Sequence, residues 1–248
     1  MKIALSGKGG VGKSTLAAMI ARVLRDQSTQ VVAIDADPDM NLATLFNIPE
    51  DRQITPIIEM KELIAERTGT EVGEPAPFFT MNPKVDDIPE TYWVDQNGVK
   101  LLVMGTVQRG GGGCACPENA FLKSLLSYLI IAGDEWVILD MEAGIEHLGR
   151  GTAAGMDCMV VVVEPNKTSV ETALRIKALA DDLHVQNLVA VGNKIMENDE
   201  RAFVMEELRE IPLIGFVDYS REMRDLSLGR VSPLDVKGAV RRSFDDIV

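Results

Sequence analysis

Gly7-Lys8-Gly9-Gly10-Val11-Gly12-Lys13-Ser14 packs two lysines, a hydroxyl and four glycines into eight residues, directly behind the apolar run Ile3-Ala4-Leu5. The chemistry this spacing serves is phosphate binding. Glycines let successive backbone N–H groups turn inward around phosphate oxygens, and a helix starting near Lys13 adds its positive end. The pattern is G-x-x-x-x-G-K-[ST], a P-loop. It places Lys13 at the β/γ-phosphates and the Ser14 hydroxyl at Mg²⁺, with Gly9, Gly10, Val11, Gly12 and Thr15 completing the nucleotide cradle. The context fits, because Leu16, Ile20, Val23 and Leu24 recur at helical spacing after the loop.

Acids stand where such a loop needs them. Val31-Val32-Ala33-Ile34 is a strand that delivers Asp35 and Asp37 at its carboxyl end, and Trp136-Val137-Ile138-Leu139 delivers Asp140 in the manner of a Walker B strand. Carboxylates at strand ends are what Mg²⁺ and an attacking water require. Asp140 and Ser14 are the expected Mg²⁺ ligands, with Asp35 near the metal shell.

A second chemistry sits mid-chain. Gly110-Gly111-Gly112-Gly113-Cys114-Ala115-Cys116-Pro117 runs glycines into a C-x-C and then into a helix opened by Pro117. One such pair supplies two thiolates. A two-fold homodimer would assemble four from Cys114 and Cys116, enough for tetrahedral Zn²⁺ or square-planar Ni²⁺. Cys158, inside the apolar run Met156–Val163, reads as core.

The elements that must position these groups follow from hydrophobic runs. Strands are predicted at Ile3–Leu5, Val31–Ile34, Leu101–Met104, Trp136–Leu139, Met159–Val163 and Leu188–Val191, and helices at Ser14–Leu24, Pro117–Ile131, Ser169–Leu183 and Glu200–Leu208. Continuous apolar strands suit burial on both faces. The fold class is therefore α/β: a doubly wound, mostly parallel sheet with helices on both faces, and ligands beyond the carboxyl ends of the strands. At 248 residues and 46% hydrophobic the chain fits one domain, 1–248, interrupted by an irregular insertion at about 51–99 that carries a short helix over Ile57–Arg67. The formal net charge of -13 opposes binding nucleic acid through a basic face. The longest apolar stretch near the middle, Leu125–Ala132, is too short to span a bilayer. The chain opens straight into its first strand, so the expectation is a cytoplasmic protein without a membrane role.

The second lysine narrows the class. The loop resembles the deviant Walker A of the superfamily that includes the nitrogenase iron protein, MinD, ParA and the arsenite-pump ATPase. The resemblance implies that Lys8 crosses a nucleotide-sandwiched dimer interface to the partner's phosphates, as an arginine finger does. It implies that Asp37, in switch I, orients or deprotonates the attacking water. Met141-Glu142-Ala143-Gly144 resembles switch II, where Gly144 donates its N–H to the γ-phosphate. Many members carry proline where this chain has Glu142 or Ala143. Asn193-Lys194 resembles the base-recognition position, and Met196 in place of the aspartate of N-K-x-D favours ATP over GTP.

Within that superfamily the chain is similar to the nickel-insertion ATPases that mature carbon monoxide dehydrogenase and acetyl-CoA synthase. The similarity is carried by the P-loop, Asp35-Ala36-Asp37-Pro38-Asp39, the C-x-C behind glycines, and Asp140 through Leu148. Ile54-Thr55-Pro56 and Asn82-Pro83-Lys84-Val85 extend it through the insertion. What this implies is a homodimeric ATPase that binds Ni²⁺ (or Zn²⁺) through Cys114 and Cys116 and delivers nickel to such a client. His147 reads as a structural histidine. Two alternatives stand beside this reading. An iron–sulfur carrier or electron-transfer ATPase would use C-x-x-C or cysteines in separate loops. A MinD/ParA-like positioning switch would want a membrane helix or a basic face, and the tail 236–248, with Arg241, Arg242, Asp245 and Asp246, makes a poor anchor.

Overall fold

The computed structural model describes every residue except 28–29, 50–51, 53, 75, 107–116, 132–134, 143–151, 154, 239, 241–243, 245–246 and 248. Eight strands form one sheet: β1 (Lys2–Ser6), β2 (Val31–Ala36), β3 (Val94–Gln96), β4 (Val99–Val103), β5 (Trp136–Met141), β6 (Cys158–Val163), β7 (Leu188–Ile195) and β8 (Leu213–Asp218). Their spatial order is β3-β4-β2-β5-β1-β6-β7-β8, and every pairing is parallel except the β3–β4 hairpin at one edge.

Side chains alternate across a strand, so each strand feeds two cores. Ala4, Val32, Ile34, Val137, Leu139, Val161 and Val163 pack on one face beneath α5 (Pro117–Ile131) and α6 (Lys167–Asp182). Ile3, Leu5, Val31, Ala33, Ile138, Val160 and Val162 pack on the other, against Leu16, Met19, Ile20 and Val23 of α1 (Lys13–Asp26) and Leu42 and Leu45 of the one-turn α2 (Leu42–Leu45). This two-sided burial is why the strands read as unbroken apolar runs.

All six predicted strands and all four predicted main helices are present, with ends that shift by a few residues. The short helix placed over Ile57–Arg67 is a correction: a 3₁₀ turn at Ile57–Glu59 and a separate α3 (Lys61–Thr68) meet at Met60, whose φ of -80° and ψ of 67° break the helix. The insertion is also more regular than the sequence implied. It holds α4 (Ile88–Tyr92) and β3, and its Ile57, Ile64, Val85 and Ile88 are buried in the same core as Phe121 and Leu125 of α5. Proline and glycine in this stretch mask a segment whose apolar residues are spaced to reach α5.

Two edge strands are absent from the predicted set. β3 is half-exposed and depends on an Asn97-Gly98 turn with φ of 51° and 88°, the conformation that Asn-Gly hairpins adopt. β8 is likewise only partly buried, and α8 (Arg221–Ser227) follows it, capped by the Ser220 hydroxyl accepting from Met223 N–H at 3.1 Å. Between β7 and β8 lies α7 (Asn198–Glu207). Among the described residues no helix is long and apolar enough to cross a membrane.

Candidate functional site

A cleft of about 590 Å³ opens over the carboxyl ends of the strands, where the sequence placed it. Its floor is the loop between β1 and α1. Gly7 (φ 151°) passes so close to β6 that an added Cβ would lie 2.5 Å from the Val162 carbonyl oxygen. Gly12 (φ 94°) is equally tight: a Cβ there would lie 2.5 Å from Asn193 Nδ2. Gly9 and Gly10 have open space instead. A Cβ added at either would meet no described atom within 4 Å, so the backbone itself faces the cleft. Gly12 caps α1 without any side-chain hydrogen bond, and the first turn of the helix holds no acid. Unsatisfied N–H groups and a positive helix end therefore point where an anion would sit. Val11 is buried in the core and pins the loop from below.

Period-two alternation puts Asp35, Asp140 and Asn193 on the α1 face of the sheet, in line with Ala33, Ile138 and Val191. Register then sets Asp35 of β2 directly beside Asp140 of β5. Lys13 Nζ lies 3.4 Å from Asp37 Oδ2, both groups buried. Asp37 Oδ1 accepts the Asp39 N–H at 3.0 Å. Asp35 ties down the loop that follows it, accepting the N–H groups of Asp37 (3.2 Å) and Leu42 (2.8 Å). Asp140 differs from both, since neither of its buried carboxylate oxygens has a hydrogen-bond partner among the described residues.

Orphaned carboxylate oxygens are costly, and the cost appears in their protonation. Burial pushes Asp140 up to about 7, with the negative charges of Asp35 and Asp37 adding to it; the nearby Ser14 hydroxyl and the Lys13 ammonium oppose this without hydrogen-bonding geometry to either oxygen. Burial likewise pushes Asp35 to about 6, against the two backbone N–H groups that hold its charge. Three buried acids thus face one buried lysine. A divalent cation would restore the balance, and Asp140 with Ser14 fits Mg²⁺, which takes one or two carboxylates and fills its shell from phosphate and water. Among the described residues no three His, Cys, Asp or Glu side chains converge as a complete metal-ligand set.

Asn193 and Lys194 line the cleft and at the same time brace its floor. Asn193 Nδ2 donates to the Val11 carbonyl at 2.7 Å, and Lys194 Nζ donates to the Gly10 carbonyl at 2.6 Å while pairing with Glu164 at 2.5 Å. Lys8 is exposed and turns onto α6, donating to Thr168 Oγ1 at 2.7 Å. Thr168 donates on to Asn166 Oδ1 at 2.9 Å, and Asn166 Nδ2 to Glu164 Oε2 at 3.1 Å. A polar chain therefore runs from Lys8 through the β6–α6 turn to Lys194 and back to the loop. Sequence reasoning missed Glu164, Asn166 and Thr168, whose readable signal is an Asn N-cap accepting the Ser169 N–H at 2.9 Å. It missed the far wall too: Tyr219, Met223 and Arg224 come from the unforeseen β8 end and α8. Gly144, His147, Cys114 and Cys116 lie outside the described residues.

Residues 2–231 match the CobQ/CobB/MinD/ParA nucleotide-binding domain family. The chain belongs to this family. It is a P-loop ATPase of the MinD/ParA kind. It is 42% identical over 243 residues to the carbon monoxide dehydrogenase accessory protein CooC of Rhodospirillum rubrum, covering 97% of this chain and 92% of that one. It is 41% identical to an uncharacterized ATP-binding protein of Methanocaldococcus jannaschii, covering 100% and 98%. Among solved structures, MinD in the MinC:MinD cell division complex of Aquifex aeolicus superposes with a TM-score of 0.71 at 22% identity, over 99% of this chain and 93% of that one. The family's parallel, P-loop fold is the fold described above.

Proposed function

We propose that this ATPase is a nickel metallochaperone that works as a cytoplasmic homodimer, one unit spanning residues 1–248, and delivers Ni²⁺ to a carbon monoxide dehydrogenase or acetyl-CoA synthase client. The observation that carries the reading is end-to-end similarity to a carbon monoxide dehydrogenase accessory protein in a chain that also holds a Cys114-Ala115-Cys116 pair. ATP is the substrate. The backbone of Gly9, Gly10, Val11 and Gly12, with Thr15, cradles its phosphates, and Lys13 exchanges its contact with Asp37 for the β/γ-phosphates. Asp37, released from Lys13, is then placed to orient or deprotonate water. Asp35 holds the loop that carries Asp37. Ser14 and Asp140 would hold Mg²⁺, which supplies charge neutralisation at the phosphates. Gly144 donates to the γ-phosphate, and Asn193 and Lys194 sit toward the base. Lys8 leaves Thr168 to reach the phosphates bound by the second subunit, which ties hydrolysis to dimerisation. Metal held by Cys114 and Cys116 from both chains would then be released when the subunits shift, a coupling that requires different metal affinity in the two states.

The test is anaerobic titration of the reduced protein with Ni²⁺, following thiolate-to-nickel absorption and mass, with and without ATP. One nickel per dimer, lost in Cys114→Ala/Cys116→Ala, is the expected result. Nickel binding that survives those changes, or none at all, overturns the metallochaperone reading. A brown, oxygen-sensitive protein would replace it with an iron–sulfur carrier.

A further inference from the structure

Between α3 and α4 the chain makes an excursion whose base is fixed and whose tip is apolar and bare. Gly69 ends α3 with φ 72°, and the Thr70 N–H donates to the Ala65 carbonyl at 2.9 Å. The chain returns where the Thr80 N–H donates to the Thr68 carbonyl at 2.8 Å, and the buried Thr68 hydroxyl donates to the Ile64 carbonyl at 2.6 Å. Arg67 grips the returning chain, donating to both Asp87 oxygens at 2.8 and 2.6 Å and to the Lys84 carbonyl at 3.2 Å. Held this way, Phe78 is 89% exposed, Met81 60% and Val72 49%. A phenyl ring kept in water on a stapled loop does nothing for this fold, and it is the kind of anchor that fills a pocket on a partner.

Charge says what kind of partner. Residues 59 to 95 hold nine acids and three bases, and two of those bases, Arg67 and Lys84, already face Asp87 and Asp86. The apolar tip is thus set in a negative field. A second copy of this chain would bring the same field against itself, whereas a partner with a basic rim around an apolar pocket would be attracted and aligned. The other side of the loop closes a cavity of about 210 Å³ lined by Ile64, Val72, Glu74, Pro117 and Glu118, so the loop abuts the start of α5. In sequence that start follows Cys116 immediately.

We propose that Phe78 and Met81 form the surface on which the client protein docks, with Phe78 entering an apolar pocket rimmed by basic side chains. The proposal rests on the metal-delivery reading and names the surface that reading lacks. The experiment measures binding of nickel-free carbon monoxide dehydrogenase to the full chain with nucleotide, at low and high salt, for wild type, Phe78→Ser and Met81→Ser. The expected result is at least about a tenfold weaker Kd in Phe78→Ser, weaker binding of wild type in high salt, and unchanged ATP turnover, dimer mass and melting temperature in the variants. Equal Kd for wild type and Phe78→Ser overturns the docking surface and leaves the metal-delivery reading standing. A wild type that does not bind at either salt overturns this surface together with the client assignment. A change of dimer mass in Phe78→Ser assigns the loop to contact between copies and overturns the proposal.

Discussion

Replacing Asp140 by asparagine tests the idea that the cleft is built around an uncompensated buried charge. The folded protein holds the Asp140 proton up to about pH 7, whereas an ordinary carboxyl releases it near 3.8. Between those values the folded state binds more protons than the unfolded one, so stability falls as pH rises and then levels off above about 7. Three pH units at 1.36 kcal/mol each give about 4 kcal/mol as the ceiling, reduced by any water that enters the cleft. Asparagine keeps the shape and drops the charge. The nucleotide-free Asp140→Asn protein should therefore be more stable than wild type at pH 8 by about 2–4 kcal/mol, or roughly 5–15 °C in Tm for a chain of this size. A shallower decline should persist from Asp35, pushed to about 6 by burial. The assay is urea unfolding from pH 5 to 8.5 in the presence of chelator, then again with Mg²⁺ and a non-hydrolysable ATP analogue, from which only wild type should gain fully. An asparagine variant as pH-sensitive as wild type, or less stable at pH 8, refutes the reasoning.

Other substitutions probe the remaining parts. Gly12→Ala must place a Cβ 2.5 Å from Asn193 Nδ2 at a φ of 94°; a loss of about 1–3 kcal/mol of stability and of most nucleotide affinity is expected, read by melting and by titration with a fluorescent ATP analogue. Asp37→Asn should keep or tighten nucleotide binding, because Lys13 is freed from its 3.4 Å partner, while single-turnover hydrolysis falls about a hundredfold or more; undiminished hydrolysis removes Asp37 from the water. Lys8→Ala should bind ATP as wild type does yet fail to form the nucleotide-dependent dimer in sedimentation; a normal dimer would leave Lys8 with only its Thr168 contact.

The parts of the site that sequence made legible share one property: their function is carried by backbone conformation or by position at a strand end. The P-loop is read from glycines because only they adopt its φ values or allow its close approaches, as at Gly7 and Gly12. Asp35 and Asp140 are read because a buried strand that suddenly ends in an acid is otherwise unfavourable. Elements that are half-exposed gave weaker signals. β3 and α8 lack the apolar runs of central strands, and the run of β8 is short, follows Pro212 and is broken by Gly215, so the far wall of the cleft, with Tyr219 and Arg224, stayed hidden.

The sequence by itself determined the architecture of the centre: six strands buried on both faces, the helices between them, and a phosphate-binding loop at the head of α1. It could do so because two-sided burial and phosphate cradling both impose local residue types. Only the tertiary structure decided which oxygens are spoken for. Asp35 and Asp140 look alike in sequence and stand side by side in register, yet one is held by two backbone N–H groups and the other has no partner among the described residues. The same holds for Lys8 and Lys194, which reach groups 160 and 184 residues away. Hydrogen bonds of that span depend on how separate strands are brought together, and no local pattern of residues encodes them.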